Sequence, residues 1–128
     1  MNGYLMDTHI LLWMLNDDAR LPATARQLLQ TPDVMIVVSA MSLAEIAVKA
    51  SIGKLHVQVA RVREALLRFG IPELPFTSRH AVELANLPLH HRDPFDRMLV
   101  AQAQCEGLRL ISCDSALQMY GRSVDILA

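Results

Sequence analysis

Apolar residues along this chain form two kinds of block: short unbroken runs, and longer stretches in which they recur every three or four positions. Gly3-Tyr4-Leu5-Met6 is an unbroken run that halts at Asp7, and Thr8 to Leu15 then continues with Ile10, Leu11, Leu12, Trp13, Met14 and Leu15. A buried strand feeding a helix fits that order. Pro22 stands where a helix tolerates it, at the first helical position, ahead of good helix formers through Leu29. Val34-Met35-Ile36-Val37-Val38, closed by Ser39, is rich in β-branched residues and shows no polar alternation. Strands covered on both faces of a parallel sheet have this character.

From Ala40 to Ala50, the residues Leu43, Ala44, Ile46, Ala47 and Ala50 recur at helical spacing, with Glu45 and Lys49 off the stripe. Val59 to Phe69 repeats the pattern, with Val62, Ala65, Leu66 and Phe69 expected inside and Gly70 as the stop. Ile71 to Pro75 is short and bounded by prolines, which predicts an edge strand. Thr77 to Leu87 predicts a helix that buries Ala81, Leu84, Ala85 and Leu87. A polar loop, Pro88 to Arg92, leads into Asp93-Pro94-Phe95-Asp96 and a helix through Cys105 that Gly107 closes. Leu108 to Ser112 reads as a strand, Asp114 to Tyr120 as a short helix, and Val124 to Leu127 as a last strand. Strands thus alternate with helices, which predicts an α/β fold: a three-layer α/β/α sandwich around a mostly parallel sheet of about five strands, joined by right-handed crossovers. No repeat or linker interrupts residues 1–128, so a single domain is expected.

Composition narrows the function classes. With 52% hydrophobic and 20% charged residues in a chain of 128, disorder is excluded and a filled core is expected. The mean hydropathy of +0.26 does not indicate a membrane protein, because the longest run free of charge and proline, Val34 to Ala44, falls well short of the roughly 18 apolar residues a span requires. The N-terminal residues lack the basic flank of a secretory signal, so a cytoplasmic location with no membrane association is expected. Twelve basic against thirteen acidic residues leave a net charge of -1, which argues against coating a polyanion by charge alone. A nuclease stays open, since a metal ion can supply positive charge where the reaction occurs. Cys105 and Cys113 form no CxxC pair and read as reduced structural thiols.

In open α/β sheets, sites form beyond the carboxyl ends of the strands. Asp7 follows the first strand, Glu45 lies in the first turns of the helix after the second, Asp114 follows the strand 108–112, and Asp96 begins the helix leading into that strand. Four carboxylates can therefore converge at one edge. Each also has a structural reading: Asp7 and Asp114 stand where helix caps stand, Ser42 to Glu45 matches a capping box, and Glu45 can pair with Lys49 one turn on. A helix starting instead at Ser39 would leave Glu45 in its interior. Asp93 before Pro94 reads as a cap, which places Asp96 in the first turn. Caps alone do not explain why acids gather on one side, where they repel and raise one another's pKa unless a cation is shared. A hard ion such as Mg2+ suits an all-oxygen set. His90-His91 lacks a second ligand pair at zinc spacing and reads as a solvated loop. His9 is either a base or a locally bonded helix-start residue, while Arg61, Arg63 and Arg68 read as a solvated helix face and the seven methionines as core filler. No GxxxxGK[ST], GxGxxG or GxSxG occurs.

At these residues the chain resembles the PIN-domain family, and within it the VapC-type toxins of bacterial toxin–antitoxin pairs. The likeness rests on Tyr4-Leu5-Met6-Asp7-Thr8-His9 followed by Leu-Leu-Trp, on Ser42-Leu43-Ala44-Glu45-Ile46-Ala47-Val48-Lys49, on Gly53-Lys54-Leu55, on Leu87 through Arg97 with Ala101 and Ala103, and on Leu110-Ile111-Ser112-Cys113-Asp114. It spans nearly the whole chain; single pieces are degenerate, but their order and the DPFDR segment together are specific. The resemblance implies that Asp7, Glu45, Asp96 and Asp114 hold Mg2+ or Mn2+, with Asp7 and Asp96 the firmest ligands and Asp93 a cap. It further implies hydrolysis of RNA phosphodiesters by an endoribonuclease, leaving a 5′ phosphate, with Arg97 and Lys49 as secondary candidates for phosphate contact. A cognate antitoxin is implied as partner, with Trp13 and nearby apolar residues lining its groove or lying in the core, and so is a homodimer. Ser112-Cys113-Asp114 departs from the Thr and basic or small residue that many relatives carry before the last acid, which bears on the fourth ligand and on Ser112. Two alternatives are a catalytically silent PIN-fold module that binds a partner and a receiver-like Mg2+-binding phosphoacceptor. The latter needs a lysine at the end of a late strand, and the only lysines are Lys49 and Lys54.

Overall fold

The computed structural model describes residues 3–127, so positions 1, 2 and 128 of the expected domain lie outside the described residues. Five strands, β1 (Gly3–Met6), β2 (Met35–Ser39), β3 (Glu73–Leu74), β4 (Arg109–Ser112) and β5 (Val124–Ile126), form one parallel sheet in the order β3-β2-β1-β4-β5. The chain winds outward from β1 through β2 to β3, then crosses to the other side for β4 and β5. The strand order therefore reverses between β1 and β4, where the carboxyl ends leave a crevice. The helices are α1 (Thr8–Leu15), α2 (Ala23–Gln30), α3 (Ala40–Ser51), α4 (Val59–Phe69), α5 (Ser78–Asn86) and α6 (Pro94–Glu106), followed by a 3-10 segment over Ser115–Ser123. The fold is an α/β sandwich, as the alternation of strand and helix predicts.

Strand pleating explains the unbroken apolar runs. Leu5, Val37 and Leu110 point into one core with Leu99, Val100 and Ala103 of α6, while their neighbours Met6, Val38 and Ile111 point into another with Ile10, Leu11 and Ile46. Both faces of the central strands are covered, so no position along them needs to be polar. The expected edge strand shrinks to two residues, and Val38 and Ser39 pair with Glu73 and Leu74.

Gly70 and Gly107 end α4 and α6 in the left-handed region, at φ 68° and 67°, where a glycine carries no Cβ penalty. Gln102, fully buried in α6, accepts a hydrogen bond from Ser39 Oγ and donates to the Pro75 carbonyl at 3.3 Å. That tie fixes α6 against the carboxyl end of β2, and its N-terminus consequently opens onto the crevice.

Several expectations fail locally. Phe69, the last residue of α4, is 66% exposed. In α5, Ala81 and Ala85 face solvent, and His80 is the residue that packs inward beside the half-buried Leu84. The helix after Pro22 begins at Ala23, with Pro22 just outside it at the cap. The segment after Asp114 is a 3-10 helix broken at Gly121, where φ is 74°. Among the described residues no helix is long and apolar enough to cross a membrane.

Candidate metal centre

Asp7 leaves β1 at the crevice, nearly fully buried. Its Oδ1 caps α1 by accepting from the Ile10 N–H at 2.8 Å, and its Oδ2 accepts from the Ser112 hydroxyl at 2.6 Å. Capping and site membership thus coexist, one oxygen serving the helix and the other facing β4. Burial raises the Asp7 pKa and Glu45 adds to it, while the bonds from Ile10 and Ser112 oppose the rise. The Ser112 hydroxyl also accepts from the Asp114 N–H at 3.0 Å. Serine at this position therefore joins two of the acids.

Glu45 stands in the second turn of α3, because the helix starts at Ala40 with Ser39 as its cap, Ser39 Oγ accepting from the Met41 N–H at 2.9 Å. The capping box over Ser42–Glu45 is not formed. Instead Ser42 is buried, with its Oγ 3.1 Å from the Thr8 hydroxyl, and that hydroxyl donates to Glu45 Oε1 at 2.7 Å. Glu45 Oε2 accepts from Lys49 Nζ at 2.6 Å, the expected pair one turn apart. Lys49 is bonded to this carboxylate, which raises its pKa chiefly through that bond. Arg97, the other candidate for phosphate contact, donates to the Leu87 carbonyl at 3.2 Å.

Asp93 caps α6, accepting from Phe95 N–H at 2.9 Å and Asp96 N–H at 3.4 Å, with Pro94 opening the helix. Asp96 is thereby held in the first turn. Its pKa is raised to about 7, by burial first and then by the charges of Asp93, Asp7 and Glu45. Asp114, whose side chain is 43% exposed, accepts from the Ala116 N–H at 3.0 Å through Oδ1.

His91 is the feature that sequence reading missed. Rather than lying free in a solvated loop, its Nε2 is 3.1 Å from Asp114 Oδ2 and 3.7 Å from Asp96 Oδ2. One ligand atom from each of these three residues lies within 4.8 Å of the others. The only sequence signal was its place two residues before the cap Asp93. The place of the Thr8 and Ser42 hydroxyls beside Glu45 gives no periodic signal in the sequence. His9 faces solvent beside Trp13, with ring centroids 6.0 Å apart.

A second cluster among the described residues joins His80, Cys105 and Glu106. The Thr77 N–H donates to His80 Nδ1 at 3.0 Å, so the ring proton lies on Nε2 and is donated to Glu106 at 2.8 Å. Binding a cation at Nε2 would require the opposite tautomer, with two N–H groups facing each other. This cluster is a hydrogen-bonded clamp between α5 and α6.

The donor set at the crevice fits a hard divalent ion. Two acids, Asp7 and Asp96, are held above their ordinary pKa by burial and by neighbouring carboxylates, a cost that a shared cation relieves, and the available atoms are carboxylate oxygens. Such a crevice, at the switch point of a parallel sheet, defines an α/β domain with an acidic centre. Residues 4–122 match the profile of the PIN domain, and the chain belongs to the PIN-domain family, whose members are generally nucleases. Three solved structures share the fold. VapBC2 from Rickettsia felis, bound to a DNA fragment from its promoter, superposes with TM-score 0.72 at 15% identity, covering 98% of this chain and 99% of that one. A toxin–antitoxin complex from Klebsiella pneumoniae gives 0.69 at 20%, with 95% of each chain covered. VapBC-5 from Mycobacterium tuberculosis, a member of the VapBC family of toxin–antitoxin systems, gives 0.64 at 20%, covering 99% and 98%. Among curated proteins no sequence match is found. Family membership sets aside the receiver-like alternative.

Proposed function

We propose that this protein is a divalent-metal-dependent endoribonuclease and the toxin of a VapBC-type pair. The observation that carries the proposal is the convergence of Asp7, Glu45, Asp96 and Asp114 on one crevice, with the pKa of Asp96 raised by burial and by the charges of its acidic neighbours. Asp7 and Asp96 are the principal ligands for Mg2+ or Mn2+, and Glu45 and Asp114 complete the set. When bound, such an ion supplies the positive charge that draws a phosphate and makes a water acidic enough to attack it. The chain's residues do the rest. Ser112 and the Ile10 N–H hold Asp7 still, and Thr8 and Lys49 do the same for Glu45. Carboxylates held in this way would need no rearrangement to keep the ion in place, and in-line attack by water with departure of the 3′ oxygen would leave a 5′ phosphate.

The structurally similar chains come from toxin–antitoxin complexes, which supports a cognate antitoxin as partner. A groove of about 520 Å³ beside α1 and α4, lined by Leu12, Leu15, Val62, Arg61, Arg68 and Phe69, suits an amphipathic segment with acidic residues. A homodimer, which the family resemblance implies, should give twice 14.3 kDa by light scattering.

Total bacterial RNA incubated with purified protein and Mg2+, Mn2+ or EDTA tests the activity, with Asp7→Asn alongside. Discrete cuts that need metal and vanish in the variant are expected. A folded protein that makes no cuts with either metal would refute the nuclease and leave a partner-binding PIN domain.

A further inference from the structure

Of the four acids, Asp114 is the least confined by its own element. It follows β4 on an irregular segment, its side chain is substantially exposed, and its cap bond to Ala116 restrains only Oδ1. The other oxygen meets a ring that is itself fixed on every side. The Asp93 N–H donates to His91 Nδ1 at 3.0 Å, so the ring in this arrangement is neutral, its proton is on Nε2, and the Nε2–H donates to Asp114 Oδ2 at 3.1 Å. Asp93 also caps the helix that bears Asp96. One residue thus sets both the tautomer of His91 and the position of a second acid.

The loop carrying His91 is pinned from the core. Tyr120, buried beneath it, donates its hydroxyl proton to the Pro88 carbonyl at 2.9 Å and accepts from the N–H groups of His90 and His91 at 3.1 and 3.2 Å. The His90 ring packs edge-on against the Tyr120 ring, with centroids 5.1 Å apart. A single phenol therefore ties one carbonyl and two amide groups of the segment 88–91, and through them sets the direction of the imidazole.

We propose that His91 is a positioning residue of the acidic centre, orienting Asp114 as a donor and not as a ligand, and that the Tyr120 hydroxyl holds it in place. The proposal rests on the reading that the four acids bind a divalent ion. Ligation by His91 Nε2 would move its proton to Nδ1, against the Asp93 N–H, and that clash makes the ring a donor to carboxylates. A residue that orients a ligand in this way typically contributes about 10- to 100-fold to metal affinity.

Mn2+ alone is the probe, titrated into the purified protein and followed by the electron paramagnetic resonance signal of the free ion. His91→Ala should weaken Mn2+ binding about tenfold, with circular dichroism confirming the fold. His91→Gln, which returns an amide N–H near the Nε2 position, should restore most of the affinity, and Tyr120→Phe should fall between the two. In an Asp114→Asn background, His91→Ala should cost nothing further, since the partner through which it acts is already altered. Nitrogen hyperfine coupling from His91 to the bound ion would overturn the inference by showing direct ligation. Wild-type affinity in His91→Ala, while Asp96→Asn loses the ion, would overturn this inference and leave the metal centre standing. Failure of the wild-type chain to bind Mn2+ would overturn both.

Discussion

Two histidines in this molecule make the same local arrangement and end in different chemistry. His80 and His91 each accept a backbone N–H at Nδ1, from Thr77 and Asp93 at 3.0 Å, and each presents Nε2–H to a carboxylate, Glu106 or Asp114. Around Glu106 the charges balance, because Arg79 pairs with the same carboxylate, and the bond from His80 leads the effects that hold its pKa below the ordinary range. Around Asp114 they do not. Asp96 stands beside it, with Asp7, Glu45 and Asp93 near enough to push Asp96 the other way. A locked imidazole is thus a structural clamp where acid and base are matched, and part of a site where acids are in excess.

The strongest way to break that contrast is to empty the acidic side. Asp7→Asn or Asp96→Asn should reduce RNA cleavage by more than about 100-fold, a loss of transition-state stabilisation near 3 kcal/mol, with the far-ultraviolet circular dichroism unchanged. Full cleavage by both variants would leave the crevice without a catalytic role.

The two histidines should then separate by readout. His80→Ala removes a buried ring that closes a capping box and joins two helices, so urea denaturation should show a loss of about 2–3 kcal/mol. Its Mn2+ affinity should match wild type. An equal loss of metal affinity in His80→Ala would merge the two cases.

The acid excess should also appear as a pH dependence of the metal-free protein. Asp96 titrates at about 7 when folded against 3.8 in its ordinary state, so between those values the folded chain keeps a proton that the unfolded chain has lost. Stability from this group is highest at the acid end and declines as pH rises toward and past 7, by on the order of 2 kcal/mol once its partial exposure is allowed for. Asp96→Asn should flatten that slope in thermal melts, and a saturating divalent ion should flatten it in the wild type. An unchanged slope in the variant would remove Asp96 as the group responsible.

The smallest effect belongs to the exposed ion pair on the balanced side. Arg79→Ala should change stability by no more than about 1 kcal/mol, because a solvent-facing guanidinium gains little from its partner. A larger loss in chemical denaturation would mean that Arg79, and not His80, closes the clamp.

Much of the fold was legible in local pattern. The runs at Gly3–Met6 and Val34–Val38 indicate strands, since a parallel sheet covered on both faces asks for unbroken apolar residues, and Gly70 and Gly107 mark helix ends because only their left-handed backbone is needed there. Asp93-Pro94 fixed the start of α6 through capping chemistry alone. The failures share a cause. Ala81 and Ala85 were expected inside on hydropathy, but His80 has a carboxylate across the interface that makes its burial favourable, and no helix shows from its own sequence what lies opposite. For α3 two starts were open in the sequence, a capping box at Ser42 or a cap at Ser39, and β2 ending at Ser39 selects the second.

The same division holds at the site. Asp7 and Asp114 follow strands, Asp96 opens a helix and Glu45 lies in the second turn of one that follows a strand, and a parallel sheet sends such positions to one edge whatever the remaining residues are. Sequence by itself therefore indicated which acids stand at one edge of the sheet, and its motifs indicated the family. Only the tertiary structure decided what restrains them: Ser112 on Asp7 across 105 positions, Thr8 on Glu45 across 37, and His91 on Asp114 across 23. The physical reason is that strand and helix order follow from contacts among near neighbours, whereas a hydrogen bond depends on where two distant side chains meet, to within a few tenths of an ångström.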